Sequence, residues 1–200
     1  MPSSRRFDAA IALLALALAA GCTATSPGSP RAQPPSGTVT VRTTGDNSPL
    51  PPRPRDIGLD GVNPCTLWTA DQLAALALTP SPRRSVTTAG DDICHFDALD
   101  QEPPEITLSV ATIVDHDAAN MYLPDHGDTI VDVAGFPAVQ SPADPAGLRP
   151  CQVLVSVAPG QTLEITLDYS SIKNHLTIEQ ACELTVKAAT LAMQTLQKQR

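Results

Sequence analysis

The chain has 200 residues with 13 Lys or Arg against 21 Asp or Glu, a net charge of −8, and only 3% aromatic residues. The acidity lies in the C-terminal part: from residue 57 on, 7 Lys or Arg stand against 18 Asp or Glu, 7 − 18 = −11. Such a balance excludes phosphate-led nucleic-acid binding and direct adhesion of this part to anionic lipid.

Arg5 and Arg6 precede an apolar run over residues 9–20. A basic start followed by about 7–15 apolar residues predicts a secretory signal peptide, and the run is shorter than the about 20 residues that cross a bilayer. It ends in Leu18-Ala19-Ala20-Gly21-Cys22, which resembles the bacterial lipobox. That resemblance implies removal of residues 1–21 and a diacylglyceryl group on the Cys22 thiol. Each buried CH₂ adds about 0.8 kcal/mol, and two chains anchor where one binds only marginally. The expected location is the cell membrane, lipid-anchored on its extracytoplasmic face.

Residues 22–56 are expected to form a disordered tether. Eight of the 34 residues at 23–56 are proline and none is aromatic, so the segment has too little apolar area to offset its ordering entropy. Its proline clusters favour extended polyproline II.

Residues 57–200 are long enough for a single domain with its own core. Asn63-Pro64-Cys65 leads into a helix that Thr69 and Gln72 open as a capping box. A loop with Pro80, Pro82, Arg83 and Arg84 follows, then a short strand around Cys94. Ile106, Leu108 and Val110 alternate with Thr107 and Ser109, which predicts a half-buried strand. A short helix is expected after Asp117, then strands at residues 128–133 and after Ala134.

The strongest pattern is a hairpin. Cys151, Val153, Val155 and Val157 share one face, as do Leu163, Ile165, Leu167 and Tyr169. A three-residue loop, Pro159-Gly160-Gln161, would set these faces on the same side and put Cys151 opposite Tyr169, with Gly160 supplying positive φ. A last helix begins with the Thr177/Gln180 capping box. Its polar stripe runs through Glu179, Glu183, Lys187, Thr190, Gln194 and Gln197; Ile178, Ala181, Leu184, Ala188, Leu191 and Ala192 form the side expected to be buried. Glu183 and Lys187 are placed to pair. Cys182, in the second turn, emerges near Cys151. That geometry favours Cys151–Cys182, leaving Cys65–Cys94. The expected fold is α+β: an antiparallel sheet packed by an N-terminal helix and a long C-terminal helix, stapled by two disulfides.

The series NPC–helix, DICHF, VAGFPAV, CQVLVSVAPGQTLEITL and QACELTVKAATLAMQTL resembles a family of actinobacterial, mycobacterial-type lipoproteins grouped as a domain of unknown function. The resemblance covers about residues 58–197. It implies a lipobox, a Pro-rich tether and a four-cysteine domain, and it implies no reaction. Where the family often carries Trp, this chain has Phe96. A weaker similarity is to disulfide-bonded extracellular sensor domains of mycobacterial kinases.

The one cluster with chemical potential is Asp115, His116, Asp117, Asp125, His126, Asp128 and Asp132. Imidazole with carboxylates suits a divalent metal or a hydrolase acid and base, but the spacing HExxH is absent. Asp117 reads as a helix cap and residues 124–128 as a turn. No G-x-S-x-G elbow, P-loop or dinucleotide glycine pattern is present. Cys94 and His95 are adjacent, so on a strand they point to opposite faces. His175 reads as a loop residue. No catalytic residue, metal ligand or cofactor is assigned. The expected role is a non-catalytic binding module for a lipid, envelope ligand or envelope protein; the alternative is an envelope hydrolase or metal-binding protein built on the 115–128 cluster.

Overall fold

The computed structural model describes residues 48–99, 106–142, 149–169 and 176–200. The expected signal peptide, Cys22, the expected tether as far as residue 47, and His175 lie outside these residues. Among the described residues, seven strands form one antiparallel sheet in the order β1-β2-β3-β7-β6-β5-β4. They are β1 (Arg83–Val86), β2 (Asp92–Asp97), β3 (Ile106–Ile113), β4 (Thr129–Val133), β5 (Phe136–Pro142), β6 (Cys151–Ala158) and β7 (Gln161–Tyr169). Of the two α-helices, α2 (Ile178–Gln199) packs on the sheet, and α1 (Ala70–Ala75) is held to α2, Gln72 Nε2 donating to the Leu191 carbonyl at 3.1 Å. This is the expected α+β architecture.

Period-2 alternation builds the main core. Cys94 and Phe96, Leu108 and Val110, Leu163, Ile165 and Leu167, Val153 and Val155, and Phe136 and Ala138 are buried on one sheet face. Helix α2 covers that face. Both helices open with the capping boxes that the sequence predicts, Thr69/Gln72 and Thr177/Gln180. The buried side of α2 is Ala181, Cys182, Thr185, Ala188, Ala189, Ala192, Met193, Thr195 and Leu196. Leu184 and Leu191 only pack at its margin, and Ile178 is 47% exposed. The reason is the Cys151–Cys182 bridge, which joins the second turn of α2 to the first residue of β6. The turn that carries Ile178 lies beyond that point. Thr185 can be fully buried because its hydroxyl donates to the carbonyl of Ala181 at 2.8 Å.

Both disulfides pair as the geometry favours: Cys65–Cys94 and Cys151–Cys182, each with Cα atoms 5.1 Å apart. The first ties the 3₁₀ turn before α1 to β2. Beside it, Trp68 stands edge-on to Phe96 with ring centroids 4.9 Å apart.

Four expectations need correction. The loop with Arg83 and Arg84 contains the edge strand β1. All four of its residues are exposed, so no alternation marks it; Arg83–Asp97 and Arg84–Asp92 ion pairs, both 2.8 Å, reach across to β2. Second, β3 is buried on both faces from Leu108 onward, because the chain after it folds back over the far face, where His116 O accepts from Thr162 Oγ1 at 2.8 Å.

Third, the β6–β7 hairpin turns on Pro159 and Gly160 alone, with Ala158 opposite Gln161 and Gly160 at φ 71°. The faces align through a bulge between Ser156 and Ala158, so Cys151 lies opposite Leu167. The bulge leaves the Val157 carbonyl free of the ladder, and Ile57 N donates to it at 2.7 Å. Fourth, the folded unit starts earlier than residue 57. Leu50 is buried with Ala118, Val139 and Leu154 on the second sheet face, and Arg53 Nη1 donates to Ser156 Oγ at 2.6 Å. Composition could not show this, because a single leucine among prolines supplies the anchor.

Candidate functional site

Helix α2 crosses the β4–β5 side of the sheet, and its first half does not close against it. A groove of about 550 Å³ remains, lined by Val131 of β4, Gln140 of β5, and Glu179, Cys182, Glu183, Val186 and Lys187 of α2. Its walls are mainly apolar, and Cys182 of the Cys151–Cys182 bridge is part of them. Glu179 and Glu183 are one turn apart and so share a rim. The Glu179 carboxyl is held below the usual range by a backbone N–H and by the Thr177 hydroxyl. Lys187 does not pair with Glu183 as expected. Its Nζ donates to the carbonyl of Ala75 at the end of α1, 3.0 Å away. Neither Glu179 nor Glu183 has an ion-pair partner among the described residues.

The opposite sheet face carries a polar row. Ser85 Oγ lies 2.7 Å from His95 Nε2, and His95 Nδ1 lies 2.8 Å from Ser109 Oγ. Cys94 and His95 do point to opposite faces: Cys94 is in its disulfide and wholly buried, while His95 bridges three strands. A Ser–His contact is what a nucleophile and base need. Here Ser85 is on a fully exposed edge strand, and the row serves to hold β1 to β2 and β3. Burial, then the positive charge of Arg83, lower the His95 pKa, against weaker opposing effects of Asp168 and Asp97.

Folding therefore favours neutral His95. Its stabilising effect is present above the ordinary value of 6.5 and is lost as pH falls through the lower folded value. Stability should fall as pH is lowered from 7 through the His95 titration, and His95→Gln should flatten that slope in urea unfolding followed against pH. An unchanged slope would show that another group carries it.

The 115–132 cluster does not converge. Asp115 Oδ1 meets His116 Nδ1 at 2.6 Å in the open. Asp117 caps a 3₁₀ turn through Ala119 N at 2.9 Å and also accepts from Gly160 N at 3.3 Å. Asp128 accepts from Leu123 N at 2.8 Å, and Asp132 from Gly135 N at 3.0 Å. Asp125 and His126 sit in a second 3₁₀ turn. Among the described residues no group of three or more His, Cys, Asp or Glu is placed to hold a metal ion.

Over residues 17–195 the chain matches the family model described as protein of unknown function, DUF3558. The chain belongs to the DUF3558 family. No curated protein and no solved structure matches it. In this DUF3558 member the four domain cysteines are structural, and the groove walls combine apolar surface with two carboxylates that have no ion-pair partner among the described residues. The sequence puts Glu179 and Glu183 on the solvated stripe of α2; nothing in it tells that β4 and β5 run beneath that stripe.

Proposed function

We propose that this DUF3558 protein is exported, cleaved before Cys22, and held by a diacylglyceryl anchor on the extracytoplasmic face of the cell membrane, where its domain binds a ligand or partner and catalyses nothing. The groove under the first turns of α2 is the observation that carries the binding role: about 550 Å³ of mainly apolar cavity is in the range of small-ligand and side-chain pockets. Two disulfides support export, since such bonds persist in oxidising compartments. The family match starts at residue 17 and so reaches back across Cys22; the resemblance to lipobox-bearing actinobacterial lipoproteins agrees with it. Residues 1–21 act as signal peptide, and the tether that starts at Cys22 ends before the Leu50 anchor. Cys22→Ser should abolish lipid labelling and move the protein out of the membrane fraction. Retention of the variant in that fraction would overturn the anchor.

A further inference from the structure

We infer that the outer edge of β4 is a strand-addition site for an extended segment of a partner protein, with Lys or Arg side chains entering the α2 groove. This rests on the binding role proposed above and names its partner class.

Strand β4 is the last in the sheet order and pairs only with β5. Its other side leaves backbone donors and acceptors unpaired by any strand among the described residues. Natural sheets guard such edges with charge, as Arg83 and Arg84 do on β1 at the far side. The β4 edge presents Ile130, 39% exposed, and a single charge, Asp132, whose carboxylate is turned to Gly135 N.

Both faces of this edge are hollow. On one side lies the α2 groove, with Val131 and Val186 in its wall and Glu179 and Glu183 on its rim. On the other lies a smaller cavity of about 210 Å³, which Pro51, Pro52, Ile130 and Pro137 help to line. Val131 borders both. An added strand sends successive side chains to opposite faces. Alternate residues would enter the two hollows in turn.

The walls decide the chemistry. In the α2 groove a Lys or Arg stem lies along apolar surface while its head reaches two carboxylates that have no other ion-pair partner. Lys187, the one cation in that wall, is held by Ala75 O. An anionic headgroup would meet both carboxylates. The second hollow, walled by prolines, Ile130 and Asp132, whose carboxylate already accepts from Gly135 N at 3.0 Å, takes an apolar side chain. The partner segment therefore alternates cationic with apolar residues, and the net charge of residues 48–200, 9 − 19 = −10, steers it.

The test uses the full chain and three labelled peptides: acetyl-Thr-Lys-Val-Lys-Val-Lys-Thr-amide, the same with Glu for each Lys, and the same with Ser for each Lys. Binding is read by fluorescence anisotropy, and hydrogen exchange is followed at β4. The expected result is binding of the Lys peptide alone, slowed exchange of β4 amides, and at least a tenfold loss of affinity in Glu179→Gln/Glu183→Gln, two exposed positions. Equal binding of the Ser or Glu peptide would overturn the cationic specificity while leaving a binding domain. Lys-peptide binding without slowed exchange at β4 would overturn strand addition. Binding of none would overturn the inference and remove the groove as support for the binding role.

Discussion

Replacing Cys151 and Cys182 together with alanine should lower the stability of the domain by roughly 3–4 kcal/mol, as the chain-entropy model gives for a loop of about 30 residues. The two cysteines are 31 residues apart and nearly inaccessible, 0% and 5% exposed. Their bond closes a loop that contains the whole β6–β7 hairpin and the start of α2. Without it the unfolded chain regains the freedom of that loop. The first turns of α2, which flank the groove, also lose their covalent tie to β6. Total stability of a domain is commonly about 5–15 kcal/mol, so the loss is a large share of it. Urea unfolding of both proteins under oxidising conditions measures the difference. A loss below about 1 kcal/mol would mean that helix packing alone holds α2 in place.

Trp68→Ala should cost about 3–5 kcal/mol, the usual range for a large aromatic removed from a core. Trp68 is 3% exposed, stands edge-on to Phe96, and donates from Nε1 to the carbonyl of Ala188 at 2.9 Å. One side chain thus joins the segment before α1, strand β2 and the middle of α2. Trp68→Phe keeps most of the ring area and deletes the hydrogen bond, so it should cost only about 1 kcal/mol. Comparing the two unfolding free energies separates packing from the bond. Equal losses in both variants would contradict this division.

Much of the fold was legible because local rules and global packing agree here. Both capping boxes sit at the helix starts that their spacing predicts, and the apolar alternation of β6 and β7 marks the sheet core. Cys151–Cys182 followed from where a hairpin end and a helix turn meet, and Cys65–Cys94 was the pair left over. The misses have physical causes. β1 is exposed throughout, and exposed residues carry no burial pattern. The bulge beside Ala158 is set by the demand that both strand faces align with the core, and by Ile57 N as partner for the Val157 carbonyl; both are tertiary. Leu50 anchors the 48–56 segment through Val139 and Leu154, which are distant in sequence. The groove is legible only once the sheet order is known, because Val131 and Glu183 meet across an element order that the sequence does not state. Conversely, the Asp and His residues at 115–132 look dense in sequence but diverge in space, most of their carboxylates taken by backbone N–H groups.

The most direct measurement of the central claim is the intact mass of this protein extracted from the membranes of cells that produce it. The account predicts a chain beginning at Cys22, heavier there by a diacylglyceryl group, and four hydrogens lighter than the reduced chain because both disulfides are formed. A chain that retains residues 1–21, or one found soluble with an unmodified Cys22, would contradict it.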